Sequence, residues 1–149
     1  MPADIKVTAN AKVLQKRMQE LQKRNSDLQP VYAEIAPKLV TTTQLRFKLQ
    51  QTPTGKFWKR SASARRENRK TLIKSGNLLR SIEATYDKRE IQVGTDEKYG
   101  RFYQVGGARA KTRRGRRLVQ RKFLGIGKRD RKTMYAIIAR RMKEAAGVD

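Results

Sequence analysis

Two glycine-punctuated stretches decide how the last third of this chain folds: Tyr99-Gly100-Arg101-Phe102-Tyr103-Gln104-Val105-Gly106-Gly107 and Arg121-Lys122-Phe123-Leu124-Gly125-Ile126. Between their apolar ends, residues 109–122 carry eight Lys or Arg and no Asp or Glu. So many like charges cannot be buried together, because each would lose its hydration without gaining a counter-charge. The sequence therefore predicts a basic loop, held at both ends by a folded domain and disordered in the free protein unless something negative orders it.

The composition limits what the chain can do. Its 149 residues are the length of one domain, and the net charge of +24 predicts contact with a polyanion or with acidic protein faces. Neither His nor Cys is present, which excludes imidazole and thiolate chemistry as well as disulfides. No apolar stretch approaches the roughly 18 residues of a membrane span, so we expect no membrane partner.

The first half of the chain has the periodicity of two helices. Apolar residues three and four apart predict a first helix, which Thr8 or Asn10 caps, along Ala11, Leu14, Met18 and Leu21. A stop and new cap follow at residues 25–27. The second helix has its apolar positions at Leu28, Tyr32, Ile35, Leu39, Thr42, Leu45 and Leu49. Pro37 lies inside it, and its missing N–H predicts a kink or a break.

A basic stretch with one tryptophan follows the turn Thr52-Pro53-Thr54-Gly55. Residues 56–74 contain a single acid, Glu67. Trp58 has two interpretations: it stacks on a base or anchors a partner, or it covers an edge of the core. Ser75-Gly76-Asn77 is then predicted to form a turn.

A hairpin and a last helix complete the predicted elements. Alternation at Ile82, Ala84 and Tyr86, and again at Ile91 and Val93, predicts two antiparallel strands. The helix is capped by Asp130, and its apolar positions are Met134, Ile137, Ile138, Ala139 and Met142. Phe123 and Leu124 are predicted to form a strand that returns to the core, while Tyr99, Phe102 and Tyr103 pack against the sheet. The predicted fold is α+β, with N-terminal helices, a small antiparallel sheet and a C-terminal helix packed on it.

Catalysis has little support among the remaining residue types. Asp87, Glu90, Asp96 and Glu97 are the acids that a Mg²⁺-dependent nuclease would use, but they flank predicted turns, where acids commonly bond the local backbone. Gly125-Ile126-Gly127-Lys128 lacks the length and the Ser or Thr of a phosphate-binding loop. We therefore expect no enzyme activity, no metal site and no cofactor.

The order of motifs resembles the virion morphogenesis, or tail completion, proteins of contractile-tailed bacteriophages. The resemblance rests on residues 33–39, 52–58, 72–78, 93–95, Tyr99, 104–106, 121–126 and Asp130, and covers about the last three quarters of the chain. Two positions depart from the family pattern. Tyr103 stands where the family often has His, and Arg121-Lys122 replaces the usual Ala-Arg-Pro.

The resemblance implies a structural virion protein of the neck or tail end, which completes the tail and enables head–tail joining. It implies a homo-oligomeric ring, a hexamer by analogy with tail symmetry, through which DNA passes. Implied partners are the tail terminator or tube proteins and the head–tail connector proteins, with sequence-independent contact to packaged DNA. The implied location is the virion, and the host cytoplasm during assembly. Charge alone suggests an alternative, a basic nucleic-acid-binding protein of ribosomal-protein type.

One domain of residues 1–149 is expected. It consists of a helical part at 1–51, a basic connection at 52–75, a sheet with the basic loop 108–122 at 76–127, and a helix at 128–146. The residues predicted to contact a polyanion or partner are Arg109, Lys111, Arg113, Arg114, Arg116, Arg117, Arg121 and Lys122. The structural motif residues are Gly55, Trp58, Gly76, Leu78, Gly94, Tyr99, Gln104, Gly106, Phe123, Leu124 and Gly125. Among the glycines, Gly76, Gly94, Gly106 and Gly107 are predicted to adopt positive φ or to approach another segment closely.

Overall fold

A computed structural model describes residues 16–17, 19–21, 23, 27–111 and 117–145, with residues 107–111 described by their backbone. The described residues of 16–23 are helical, and the predicted positions Thr8, Asn10, Ala11, Leu14 and Met18 lie outside the described residues. The elements that follow are α1 (Gln29–Leu49), α2 (Ala62–Arg66), α3 (Asn77–Arg80), β1 (Glu83–Tyr86), β2 (Ile91–Gly94), α4 (Lys98–Val105), β3 (Gly107–Lys111), β4 (Arg117–Leu118) and α5 (Lys128–Ala145). The α+β class is confirmed.

The first core lies between α1, α5 and the hairpin. Its buried residues are Leu21, Leu28, Val31, Tyr32, Ile35, Leu39, Met134, Ile137 and Ile138, and Ile91 and Val93 of β2 pack against it. The predicted hairpin is confirmed: β1 and β2 pair antiparallel, with Ala84 opposite Val93. In the last helix Ala139 is exposed, so the apolar stripe is narrower than predicted.

Of the two predicted outcomes at Pro37, the break is wrong, because α1 runs unbroken for 21 residues, and the kink stays a prediction. The ring of Pro37 is exposed, while Ile35 and Leu39 on either side are buried. Burying such side chains is worth about 1.5–3 kcal/mol each, enough to offset a helix-interior proline at roughly 3 kcal/mol. Beyond Leu39 the buried residues are Thr43, Arg46 and Phe47, and not the predicted Thr42, Leu45 and Leu49.

A second core joins the end of α1 to the last third of the chain. It contains Phe47, Trp58, Leu78, Ile82, Phe123 and Leu124. The Phe47 ring lies 5.3 Å from that of Trp58, edge to face, and 5.2 Å from that of Phe123. The indole Nε1 of Trp58 donates to the Lys122 carbonyl at 2.8 Å. The structure therefore places Trp58 in the core and not on a free surface.

The segment that enters the second core has no strand partner. Phe123 and Leu124 are buried as predicted, but the predicted strand there is wrong. Both of their N–H groups donate to a side chain, Oε1 of Gln104, each at 3.0 Å. A side-chain amide thus takes the place of the ladder that a neighbouring strand would have supplied.

The flanks of the basic segment form a second two-stranded sheet. β3 and β4 pair antiparallel, with Gly107 opposite Leu118, Lys111 opposite Arg117 and a register shift between them. The prediction of disorder over residues 109–122 is wrong for these described flanks. Residues 112–116 lie outside the described residues. We call the segment 107–118 the basic arm.

Candidate interaction surface

The base of the basic arm is fixed by Gln104 of α4. Its Oε1 accepts the two N–H groups of Phe123 and Leu124, and its Nε2 donates to the Leu124 carbonyl at 3.0 Å. Gln104, which precedes the arm, is thereby hydrogen-bonded to the segment that follows the arm. The spacing Gln-x-Gly, which the sequence singles out, holds the two ends of the arm together.

Close contact at Gly106 strengthens this junction. Its φ is +58° and its ψ is −165°, a combination that only glycine adopts readily. A Cβ on Gly106 would lie 2.5 Å from Cβ and 2.6 Å from Cα of Gln120. The backbone at residue 106 can therefore lie this close to Gln120 only because glycine has no side chain.

The other motif glycines lie at turns around the same junction. Gly125 has a φ of +151°, and a Cβ there would lie 2.8 Å from Cγ of Pro53 in the Thr52–Gly55 turn. Gly55 and Gly76 have positive φ, of +89° and +76°. Gly94 does not have positive φ, the first of its two predicted features, and lies in the regular strand β2, while Gly107 begins β3. Of the predicted motif residues, Leu78 is 1% exposed in the second core.

Helix α4 presents its aromatic residues differently from the prediction. Tyr103 packs on the second core, and its ring lies 6.4 Å from that of Tyr99, edge to face. Phe102 is 48% exposed, so its predicted packing on the sheet is wrong. The helix approaches the core through Gly100, where a Cβ would lie 2.7 Å from Thr95. Phe102 is rotated about 200° from Gly100 and therefore faces away.

Seven of the eight predicted contact residues fall into three groups. Arg109 and Lys111 lie in β3, and Arg117 is exposed in β4. Arg113, Arg114 and Arg116 lie outside the described residues. Lys122 has an exposed side chain, although its carbonyl is held by Trp58. The described residues thus place basic positions on both strands of the arm.

Arg121 differs from the other predicted contact residues because it is only 5% exposed. Its Nε donates to the Lys59 carbonyl at 2.8 Å and its Nη1 to the Val119 carbonyl at 3.3 Å. Its guanidinium carbon lies 6.0 Å from the centre of the Tyr103 ring. Burial lowers the pKa of Arg121, and the nearby Tyr103 opposes that shift. Arg121 is therefore a buried cation and not part of the exposed arm.

A cleft of about 700 Å³ opens over Arg121. Its described lining includes three cationic side chains, Arg69, Lys74 and Arg121, and no carboxylate. Four hydroxyl side chains also line it, those of Ser61, Ser63, Thr71 and Ser75. Glu67 lies at the rim, where it pairs with Arg69 at 2.5 Å and with Lys74 at 3.7 Å. Sequence reasoning did not find this cleft, because its residues come from separate segments without a shared motif.

The second buried arginine, Arg46, was also missed. It is 6% exposed in α1, donates to the Phe123 carbonyl at 2.8 Å and pairs with Asp130. The same Asp130 oxygen accepts the N–H of Gly127 at 2.8 Å, so the predicted cap reaches back to the residue before α5. Burial lowers the pKa of Arg46, and the charge of Asp130 opposes that shift. An arginine among apolar helix positions gives no sequence signal of burial.

The acids that the sequence offers for metal binding are scattered. Within the described ranges, no group of three or more Asp or Glu side chains is placed to hold a metal ion. Asp87 accepts the backbone N–H groups of Arg89 and Glu90 in the hairpin turn, as turn chemistry predicts. None of the described helices is long and apolar enough to cross a membrane.

Comparison with known proteins adds one match. Residues 9–143 match the model of the phage virion morphogenesis family. No curated protein matches the chain. No solved structure matches it either.

Proposed function

The chain belongs to the phage virion morphogenesis family, and we propose that within the virion it is the structural protein that completes the tail and allows the head to join. The family supports the coarser role, a structural part in phage virion assembly. The proposal adds a location at the neck or tail end, a closed ring of copies, a hexamer by analogy with tail symmetry, and a lumen through which DNA passes.

The observation that carries the proposal is the basic arm held on a rigid base. Gln104 and Gly106 fix the chain on either side of the arm relative to the second core, so both ends of the arm have a defined position. The arm and the residues after it contain eight cations and no acid. Such an arm suits a role in assembly, because it can bind DNA in a lumen or the acidic faces of neighbouring tail and connector proteins.

The net charge of +24 supports a state that forms only on a partner. Copies with this charge repel one another in solution unless counterions, nucleic acid or acidic faces neutralise them. We therefore propose that the ring assembles on the end of the tail, with tail terminator or tube proteins on one side and head–tail connector proteins on the other.

The experiment replaces Arg113, Arg114, Arg116 and Arg117 together by Gln in the infecting phage. Surface changes of this kind usually alter stability by no more than about 0.5 kcal/mol each, so the variant should fold. We expect heads and tails to accumulate unjoined, as counted by electron microscopy of lysates. A matched control removes the same charge from the exposed positions Arg129, Arg131, Lys132 and Lys143 of α5.

The control variant should still produce joined particles. Equal failure of both variants would mean that total charge and not the arm matters. Normal particles from the arm variant would refute the proposed role of the arm. Ribosome association of the wild-type chain, with no chain in particles, would favour the alternative of a ribosomal-type nucleic-acid-binding protein.

A further inference from the structure

The cleft over Arg121 contains a cation with no counter-charge. Among the described residues, the Arg121 guanidinium is joined to backbone carbonyls and faces the Tyr103 ring, and no carboxylate pairs with it. Two of its five N–H donors are used by the Lys59 and Val119 carbonyls, which leaves three. A buried charge is costly unless it is paired, so an anion that entered the cleft would supply the counter-charge that the described residues lack.

We propose that the cleft is a binding site for a carboxylate on an acidic segment of a partner protein. The inference deepens the proposed function and rests on it for the identity of the partner as another virion protein. The carboxylate would accept hydrogen bonds from the unused donors of Arg121, and Tyr99, Tyr103 and Leu72 would pack against the rest of the segment.

The burial of Arg121 favours a protein partner over duplex DNA. The phosphates of a duplex lie on a broad convex surface, which is poorly shaped to reach Arg121, a residue that is 5% exposed and lines a cleft. A glutamate or aspartate side chain on an extended segment is narrow enough to do so. The cleft volume of about 700 Å³ also falls within the range of sites that enclose a ligand of several residues' bulk.

The cleft rim explains how the site discriminates charge. Arg69 and Lys74 share one carboxylate, that of Glu67, so these three groups together keep a net charge of +1 beside Arg121. The rim hydroxyls of Ser61 and Ser75 instead accept backbone N–H groups of Ala64 and Asn77, at 3.2 and 3.3 Å. Arg121 is therefore the cation of the described lining that no described carboxylate pairs with.

The test measures binding of a short Glu-rich peptide, capped at both ends, to the full chain by calorimetry. The same peptide with Gln at each Glu position and a short DNA duplex are the comparison probes. We expect Arg121→Met to weaken binding of the Glu peptide by about 10- to 100-fold, because hydrogen bonds to a charged group are lost. The control Arg66→Met removes an exposed charge of α2 and should change binding less than about twofold.

A second measurement needs no variant. In wild-type chain labelled with nitrogen-15, the side-chain signal of Arg121 should shift on addition of the Glu peptide and stay unchanged with the Gln peptide. Equal binding of the two peptides, or an unmoved Arg121 signal, would overturn the proposal. The proposal would also be overturned if Arg121→Met weakened binding of the duplex as much as binding of the peptide. That result would assign the site to phosphate.

These outcomes separate the inference from the proposed function. Joining of heads and tails depends on the arm variant in particles, whereas the peptide assay uses the purified chain. Failure of the peptide assay beside unjoined particles would leave the tail role standing and remove only the carboxylate site. If the peptide assay succeeded while the arm variant joined heads and tails normally, the carboxylate site would stand and the proposed role of the arm in joining would not.

Discussion

Arg46 and Arg121 are both almost fully buried, at 6% and 5% exposed, yet among the described residues only Arg46 has a counter-charge. Arg46 pairs with Asp130, and this ion pair joins α1 to the start of α5. Arg121 reaches only backbone carbonyls and an aromatic ring within the described part of the chain. A cleft lies over Arg121, lined in part by Arg69 and Lys74. We call the Arg46 pair closed, because a carboxylate neutralises the cation. We call the Arg121 site open, because no described carboxylate does so and a cleft lies over it.

The difference teaches which buried charge serves the fold and which is available for binding. A closed pair is strongly coupled to stability, because removing one partner leaves the other buried and alone. An open cation has no partner to strand, so its removal should affect binding more than folding. Four changes in stability test this contrast and the fold around it, in order of decreasing size.

The largest effect is expected for Arg46→Met. The substitution leaves the Asp130 carboxylate buried, with the Gly127 N–H as its only remaining donor among the described residues, and breaking a buried pair in this way costs about 3–5 kcal/mol. Chemical denaturation should show this loss in the free energy of unfolding. The double variant Arg46→Met with Asp130→Ala should cost clearly less than the two single variants added together. Simple additivity would contradict a coupled pair.

A smaller loss is expected for Gly106→Ala, which tests whether the segment before Arg121 is rigidly held. Alanine must adopt the strained backbone of Gly106 and displace the Gln120 backbone, at a cost of about 2–4 kcal/mol. Thermal unfolding should therefore occur at a lower temperature. Gly55→Ala is the control, since it also has positive φ but no atom within 4 Å of the added Cβ. Equal losses at both positions would mean that strain alone matters and that the contact with Gln120 does not.

Arg121→Met should change stability by no more than about 1 kcal/mol. No acid is left unpaired among the described residues, and the Lys59 and Val119 carbonyls belong to exposed residues that water can reach. Denaturation compared directly with Arg46→Met checks this expectation. A loss as large as that of Arg46→Met would make the two sites equivalent and end the distinction between closed and open.

The smallest effect concerns pH and the exposed ion pairs between α1 and α5. Glu34 accepts hydrogen bonds from Arg140 and Arg141, and the bond from Arg140 is the main cause that lowers the pKa of Glu34 below its usual 4.5. Because the folded pKa is the lower one, the stabilisation is fully present above pH 4.5 and is lost as pH falls through the folded pKa. The free energy of unfolding of Glu34→Gln should therefore differ less from that of the wild type at pH 3 than at pH 7. An equal difference at both pH values would contradict this assignment.

Periodicity predicts the parts of the fold that apolar burial controls. The helix at residues 29–49, the hairpin and the last helix all place apolar side chains at regular intervals, and the structure has all three. The polar residues that hold the site together have no such signal. Gln and Arg are residue types that are usually exposed. Only the folded structure shows that Arg46 and Arg121 are buried and that Gln104 is hydrogen-bonded to the backbone of another segment. The predicted strand at Phe123 is wrong because hydrogen bonds from a side chain replace those of a sheet.

The measurement that tests the central claim most directly is a reconstruction of the head–tail junction of the intact particle. We expect a closed ring of this chain at the head-proximal end of the tail, with the basic arms directed at the lumen or at an adjacent ring. Acidic segments of the neighbouring protein should lie over Arg121. A single copy, a position elsewhere on the particle, or the absence of the chain from the junction would contradict the account.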